Sequence, residues 1–400
     1  MTIYNRCSQF CRTCALSVTL IAPVTATALP FTPTDDNTVL EQLPYKPTDA
    51  ASRELRDLRQ ALAREPVNLP LALRVAQRDI GQARIDSDPR YLGYAQAALA
   101  PWWSQAQPPV PVLVLRAIVR QANHDFDAAL VDLAAALQRE PRNAQALLTR
   151  AAILQARGEY AAARKTCFSL APLVSKLISY ACLSSVMSLN GEATRSYALL
   201  QTIMAQSPPP SATEQQWIEG LLAEMAARRG AVVDADTHYR RALAATAPDS
   251  YLLASYADFL LDTGRAEAVV VLLREHTRAD PLLLRLALAE QVLHLPAAAE
   301  HIAALRARFD ASRLRGDVLH RREQARFTLA LLNDPRSALQ LAQANWTVQR
   351  EPADARILLE TALASHDSAS ARPVIEWLGG TRLEDVRLTV LVQALKVATP

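Results

Sequence analysis

The stretch of the chain from residue 110 to residue 177 repeats its own pattern after 34 residues. Shifting it by that period places Leu113 on Leu147, and it places His124 on Gly158 at the turn between two apolar-periodic segments. A period of this length, built from two short segments of helical periodicity, is typical of stacked helical hairpins. We therefore predict an all-α fold, an α-solenoid of stacked antiparallel helical hairpins.

The residues that match across this shift resemble the tetratricopeptide repeat (TPR) pattern. Besides the leucines, the matching pairs are Arg116 with Arg150, Ala117 with Ala151, Phe126 with Tyr160, and Ala129 with Ala163. The resemblance extends over about residues 110–280, with the clearest repeats at 110–143, 144–177 and 213–281. It implies a TPR-like superhelix that serves as a protein- or peptide-binding scaffold. Arg116 and Arg150 depart from the family pattern, in which leucine is usual at this position.

The rest of the chain divides into three predicted parts. Residues 1–28 resemble a signal peptide, and residues 29–50 are rich in Pro and Thr and predict an extended tether. Residues 51–400 predict a single helical-repeat domain that ends in a cap helix over 383–397, because such arrays need an atypical end helix. Helix stops recur as Arg-Glu-Pro at 64–66, 139–141 and 350–352, and Gly379-Gly380 predicts another helix end.

The N-terminal segment predicts export from the cytoplasm. Arg6 and Arg12 precede an apolar run over residues 15–24, and the small residues Ala26-Thr27-Ala28 offer a cleavage site before Leu29. We expect a periplasmic location, with secretion as the alternative and a buried N-terminal helix as the competing interpretation of the run. No other segment is long and apolar enough to predict a membrane span.

The charge balance gives no general attraction to polyanions. The chain has 43 Lys and Arg against 40 Asp and Glu, a formal net charge of +3. Nucleic-acid-binding domains are usually strongly basic, so we expect a protein or peptide partner and no nucleic acid. We expect a monomer or a weak oligomer.

Arginines recur at matching positions on the predicted first helices of successive hairpins. The series comprises Arg74, Arg78, Arg116, Arg120 and Arg150, and Arg285 continues its Leu-x-x-Arg pattern. Because stacked hairpins align matching positions, these guanidinium groups predict a ladder on the concave face that binds carboxylates or phosphates of a partner. The alternative is that each arginine pairs with a neighbouring acid such as Asp79, Asp125 or Asp132.

Two cysteines remain after the predicted cleavage. Cys167 falls on a second helix and Cys182 on the next first helix, so the two should be neighbours. In an oxidising compartment this favours a disulfide. The alternative is a pair of reduced, buried thiols that act as small apolar side chains.

The sequence shows no constellation of residues that predicts catalysis. It has no His-Glu-x-x-His, no glycine-rich phosphate loop and no Gly-x-Ser-x-Gly elbow, and its seven histidines do not converge on a metal site. We therefore predict no catalytic residue, no metal and no cofactor. The leading hypothesis is a non-enzymatic binding scaffold in the cell envelope. The alternatives are a structural or assembly-supporting envelope subunit without a ligand groove, and an enzyme on a solenoid frame.

Overall fold

The computed structural model describes Asp35, residues 50–316 and residues 319–398. Within these residues all regular secondary structure is helical, which confirms the all-α prediction. The predicted signal peptide (1–28) and, apart from Asp35 and Ala50, the predicted tether (29–50) lie outside the described residues. None of the described helices is both long enough and apolar enough to cross a membrane.

The helices pack in consecutive pairs, each with a first helix and a second helix joined by a short connection. After α1 (Ala50–Arg64), the pairs are α2 (Leu69–Asp86) with α3 (Arg90–Ala98) and the short α4 (Ala100–Trp103), α5 (Val110–Ala122) with α6 (Phe126–Arg139), α7 (Ala144–Ala156) with α8 (Tyr160–Leu170), α9 (Lys176–Ser188) with α10 (Ala193–Gln206), and α11 (Ala212–Arg228) with α12 (Val232–Ala245). They continue with α13 (Ser250–Asp262) and α14 (Ala266–Leu273), α15 (Asp280–Val292) and α16 (Ala297–Leu314), α17 (Arg321–Ala330) and α18 (Pro335–Trp346), then α19 (Pro352–Ala364) with a 3-10 turn (Ser368–Ala371) and α20 (Arg372–Thr381), and last α21 (Val386–Ala398).

The turn within a pair uses one residue in the left-handed backbone region. Gly158 has a φ of 76° between α7 and α8, and His124 has a φ of 56° at the matching position between α5 and α6. Glycine adopts this region at no steric cost, whereas a residue with a Cβ is strained there. The 34-residue shift therefore placed the turn correctly, and the two residues that it aligns share the left-handed conformation even where histidine replaces glycine.

Small residues allow the paired helices to approach each other. Ala117 on α5 and Ala129 on α6 are both fully buried, and Ala151 and Ala163 are buried at the matching positions of α7 and α8. A larger side chain at these contacts would push the helices apart. The residues that carry the family resemblance are therefore also those that set the spacing of the pairs.

A disulfide joins Cys167 on α8 to Cys182 on α9. Both half-cystines are buried in an apolar cluster that includes Leu147, Leu154 and Leu170. The structure therefore contains the disulfide and not the alternative, a pair of reduced thiols. The bond fixes the second helix of one pair to the first helix of the next.

The array curves far enough for distant pairs to touch. Arg84 on α2 lies 3.1 Å from the carboxylate of Asp249, whose side chain caps the N-terminus of α13. Next to it, the Ser250 hydroxyl donates a hydrogen bond of 2.8 Å to the carbonyl of Ile85. These contacts join residues 165 positions apart, so the first helices enclose a central space.

The C-terminal pairs lie against the turns of earlier pairs. The backbone N–H of Arg350 donates a hydrogen bond of 2.8 Å to the carbonyl of Ala156, at the end of α7. A methyl group added at Gly158 would lie only 3.0 Å from the indole nitrogen of Trp377 on α20. The end of the array therefore closes part of the central space.

The prediction that Gly379-Gly380 ends a helix is wrong. Both glycines lie within α20, which continues to Thr381, and Arg382 takes the left-handed conformation with a φ of 54°. Arg382 lies against the turn at Gly191, so a tertiary contact accompanies a conformation that glycine would adopt more readily. The carboxylate of Asp385 then accepts hydrogen bonds from the first backbone N–H groups of α21.

Candidate functional site

The first helices of the pairs enclose two adjoining cavities. The larger one, called here the charged chamber, has a volume of about 440 Å³, and its lining includes Asp258, Arg285, Arg322, Arg326 and Glu351. The second one, called the apolar chamber, has a volume of about 430 Å³, and its lining includes Leu148, Val186, Trp217, Leu221 and Leu252. Glu224 and Tyr251 border both chambers, so a ligand could extend from one into the other.

On one wall of the charged chamber, Asp258 on α13 is held between two arginines. Its carboxylate oxygens lie 2.7 Å from Arg285 Nη2 and 2.5 Å from Arg326 Nη1. Burial raises the pKa of Asp258, but the two positive charges outweigh burial and hold the pKa well below its ordinary value. One carboxylate thus faces two guanidinium groups, and this wall is locally positive.

On another wall, Arg322 on α17 is shared by three carboxylates. It lies 3.3 Å from Glu323, 3.0 Å from Glu351 and 3.4 Å from Asp354. Burial, together with the charge of Asp354, raises the pKa of Glu351 to about 7. Burial also raises the pKa of Asp354, which accepts a hydrogen bond of 2.8 Å from the Asn345 amide. Because one arginine serves three acids, this wall is locally negative.

Glu224 on α11 lies where the two chambers meet. Its Oε1 accepts hydrogen bonds of 2.8 Å from the Tyr251 hydroxyl and 3.4 Å from the Ser255 hydroxyl. Within the described residues it has no arginine or lysine at ion-pair distance, and its Oε2 accepts no hydrogen bond from them. Arg228, one turn along the same helix, donates to the Ser188 hydroxyl at 2.9 Å instead. Burial raises the pKa of Glu224.

An ion-pair network joins the last helix to the wall. Asp262, at the end of α13, pairs with Arg356 on α19 at 2.8 Å and with Arg387 on α21. Arg356 also lies 2.6 Å from Glu360, one turn along its own helix. These contacts hold α21 over the charged chamber, which Arg387 and Leu388 help to line.

The apolar chamber presents an accessible aromatic side chain. Trp217 is 38% exposed on its wall, and Tyr251, at the junction with the charged chamber, is 63% exposed. The remaining lining combines aliphatic residues such as Leu148 and Val186 with polar ones such as Gln155 and Asp249, and Cys182 of the disulfide borders it. Accessible aromatic side chains in a concave wall are typical anchors for a partner's side chains.

None of the five arginines singled out in the sequence lines either chamber. Arg116 is buried and pairs with Asp132 through two hydrogen bonds of 2.6 and 2.9 Å. Arg120 lies 2.8 Å from the same carboxylate. For these two residues the structure contains the pairing with a neighbouring acid that the sequence offered as the alternative.

The other three arginines lie nearer the solvent. Arg78 forms an exposed ion pair of 2.8 Å with Glu54 of α1. Arg74 and Arg150 are exposed. Their role as contacts for a partner stays a prediction.

The residues that form the charged chamber come mostly from the part of the chain where the repeat pattern is weak. Arg322, Arg326 and Arg356 were not singled out in the sequence. Two residues of this site belong to patterns noted in the sequence. Arg285 continues the Leu-x-x-Arg pattern, and Glu351 belongs to the Arg-Glu-Pro tripeptide that was predicted to stop a helix, although α18 already ends at Trp346. In the structure Glu351 both precedes α19 as its cap and lines the chamber.

A chain of three polar side chains is closed off inside the array. His238 Nδ1 lies 2.5 Å from Glu219, and His238 Nε2 lies 2.9 Å from the Tyr197 hydroxyl. All three residues are buried, and none lines either chamber. Their hydrogen bonds satisfy one another, so they have no open position for a substrate. Across the described part of the chain, no three acidic, histidine or cysteine side chains are grouped so that they could hold a metal ion.

Comparison with known proteins supports the repeat resemblance. A family model described as tetratricopeptide repeat matches residues 121–174, from the end of α5 to the connection before α9. This range lies within the two units in which the period was found. Among curated protein sequences, none matches the chain.

The chain is also similar to solved structures of low sequence identity. The Cut9-Hcn1 structure, described as an APC/C hetero-tetramer, is 12% identical over 88% of each chain, with a TM-score of 0.40. Yeast Tom70 is 12% identical over 87% of this chain and 85% of its own, with a TM-score of 0.40. The P58(IPK) TPR domain is 14% identical over 87% and 98%, with a TM-score of 0.23.

Proposed function

We propose that this protein is a non-enzymatic, TPR-like scaffold of the cell envelope that binds a segment of a protein or peptide in its two adjoining chambers. Arg116 and Arg120 of the arginine series are already paired with Asp132. The proposed binding surface is therefore the pair of chambers.

The observation that carries this proposal is the pair of chambers itself. Volumes of about 440 and 430 Å³ fall within the range of ligand sites in proteins, about 300–1,000 Å³. Their walls combine accessible aromatic side chains with charged groups, so they can bind both the apolar and the polar parts of a peptide. A structural subunit without a ligand groove would have no need of these open walls.

An experiment on a blocked chamber tests this proposal. Ala152 is exposed on α7 and lines the apolar chamber, whereas Ala161 is exposed on the paired helix α8 and lines neither chamber. We expect Ala152→Trp to reduce the retention of an immobilised random heptapeptide library at least tenfold, and Ala161→Trp to leave it unchanged. If the unmodified protein retains no peptide, the alternative of a structural envelope subunit is favoured.

The proposed compartment is the periplasm, with secretion as the alternative. Support comes from the basic start, the apolar run and the Ala-Thr-Ala of the N-terminal segment, and from the disulfide between Cys167 and Cys182, since disulfides persist in oxidising compartments. Cell fractionation followed by N-terminal sequencing tests it. We expect a mature chain that begins at Leu29 in the periplasmic fraction. Recovery of the uncleaved chain from the cytoplasm would contradict export.

A further inference from the structure

Glu224 borders the apolar chamber, and its carboxylate has no arginine or lysine at ion-pair distance among the residues that the structure describes. Trp217 and Leu252 lie on the wall of this chamber, and Glu224 lies where it meets the charged chamber. Among the described residues, the donors to Glu224 are the hydroxyls of Tyr251 and Ser255. Within the described residues its second oxygen is unused. A group that enters from the apolar side therefore meets an available carboxylate oxygen.

The carboxylates grouped around Arg322 outnumber it three to one. They are Glu323, Glu351 and Asp354, and the first two of them line the charged chamber together with Glu224. Since Arg322 is divided among these three acids, none of them has the full compensation of a separate guanidinium. Unbalanced buried charges are costly, and an external cation would relieve that cost.

Glu224 and Glu351 have raised pKa values, whereas the charges of Arg322 and Arg285 outweigh burial and lower the pKa of Glu323. Burial, then the charge of Asp354 and, less strongly, the charge of Glu224 raise the pKa of Glu351 to about 7. Glu224 and Glu351 both line the charged chamber, so both carboxylates are reached from the same space.

On the positive wall, Arg285 donates through Nη2 to Asp258, through Nε to the carbonyl of Ala254 and through Nη1 to the carbonyl of Pro281. Arg326 donates through Nη1 to the same aspartate. Both arginines therefore already face a carboxylate, whereas Glu224 has no arginine or lysine at ion-pair distance among the described residues. Charge complementarity at Glu224 favours a cationic ligand over an anionic one.

The spacing of the apolar anchor and the carboxylate suits a peptide. Trp217 and Glu224 are two turns apart on α11, about 10 Å along the helix axis at about 1.5 Å per residue. An extended peptide covers that distance in about three residues. An inorganic cation or a simple amine could neutralise Glu224, but it would leave the apolar chamber unoccupied.

We propose, resting on the proposed function, that the partner is an extended peptide segment with a lysine or arginine within three positions of a large apolar residue. The basic side chain binds at Glu224 and Glu351, and the apolar side chain packs against Trp217 and Leu252 in the apolar chamber.

Selection from a random heptapeptide library tests the chemistry of the partner. The purified protein, its Glu224→Gln variant and a Glu267→Gln control are each used to select peptides, which are then sequenced. Glu267 is an exposed acid on α14 and lines neither chamber. We expect basic residues next to apolar ones to be enriched at least fivefold by the unmodified protein and by the control. Glu224→Gln should lose the basic enrichment and keep the apolar one.

The outcomes show whether the basic partner, the role of Glu224 or peptide binding itself is wrong. Enrichment of acidic peptides would overturn the assignment of a basic partner while leaving a peptide-binding function intact. An equal basic enrichment with Glu224→Gln would overturn the role of that carboxylate. Failure of the unmodified protein to select any peptide would count against both. A thermal melt of each variant shows that the loss of selection does not arise from unfolding.

Discussion

Arg116 Nη2 lies 2.6 Å from Asp132 Oδ1 inside the α5–α6 pair, and both side chains are buried. Asp132 also accepts a hydrogen bond of 2.8 Å from Arg120, so one carboxylate compensates two guanidinium groups. In a buried pair, removal of one partner leaves an uncompensated charge, which costs far more than the loss of a surface ion pair. At these two positions, Arg116 and Arg120, the arginine series therefore stabilises the fold.

We predict that Asp132→Ala lowers the free energy of unfolding by about 3–5 kcal/mol, because it leaves Arg116 buried without its carboxylate. Urea denaturation followed by circular dichroism measures the change. The matched control is Arg150→Ala, one repeat later in the same frame but exposed, which should change the free energy by less than about 0.5 kcal/mol. Similar losses for the two variants would show that burial of the pair is not what stabilises this hairpin.

The repeat predicts local structure well because the contacts within a pair are close in sequence. The period of Leu113 and Leu147 predicted the fold class, and the match of His124 with Gly158 predicted the turn. The same frame distinguishes the two arginines. Asp132 follows Arg116 by 16 residues, but the residue 16 positions after Arg150 is Thr166. Because α8 has Thr166 where α6 has Asp132, Arg150 lacks this buried partner and lies exposed.

The chambers could not be predicted in this way. They depend on contacts such as that of Arg84 with Asp249, 165 residues away, and of Arg356 with Asp262, 94 residues away. Such contacts follow from the sum of small rotations from one pair to the next, which a repeat pattern does not encode. Most of the charged side chains of the charged chamber also come from the irregular C-terminal pairs, where the period gives no frame for aligning side chains.

The carboxyl of Glu351 should make the fold less stable as the pH rises. Burial and the neighbouring Asp354 raise its pKa from 4.5 to about 7. Between these values the folded protein binds more protons than the unfolded chain, so stability falls as the pH rises through this window and the loss is complete above it. We predict that Glu351→Gln reduces the fall in Tm between about pH 5 and about pH 8.

Glutamine at this position can still cap α19, and Arg322 keeps Glu323 and Asp354 as partners. The pKa of Asp354 is raised as well, so part of the pH dependence should remain. Glu140→Gln is the matched control, since Glu140 stands in another Arg-Glu-Pro tripeptide and is exposed. An equal fall in Tm for the unmodified protein and Glu351→Gln would show that Glu351 does not contribute.

The disulfide should stabilise the contact between successive pairs. It closes a loop with a sequence separation of 15 residues, for which the chain-entropy relation gives up to about 3 kcal/mol. We expect Cys167→Ala with Cys182→Ala to lower the free energy of unfolding by up to that amount, measured by urea denaturation. The unmodified protein after reduction is the control and should lose a similar amount. Alkylation without reductant should label neither cysteine, and two labelled thiols would contradict the bond.

Two glycines allow the backbone strain of a turn to be separated from its tertiary contact. Gly158 and Gly264 have similar φ values, 76° and 71°, at the turns of their respective pairs. A methyl group added at Gly158 meets Trp377 at 3.0 Å and Arg350 at 3.4 Å, whereas one added at Gly264 meets nothing within 4 Å. Alanine at Gly264 therefore reports the strain alone.

We predict that Gly264→Ala lowers the free energy of unfolding by about 1 kcal/mol, because an L side chain is disfavoured at positive φ. Gly158→Ala should cost more, because Trp377 must also move. Since the indole of Trp377 packs against Tyr160 and Trp346, tryptophan fluorescence should change only for Gly158→Ala. If both variants lose the same free energy and leave the fluorescence unchanged, the packing of α20 against this turn does not stabilise the closed array.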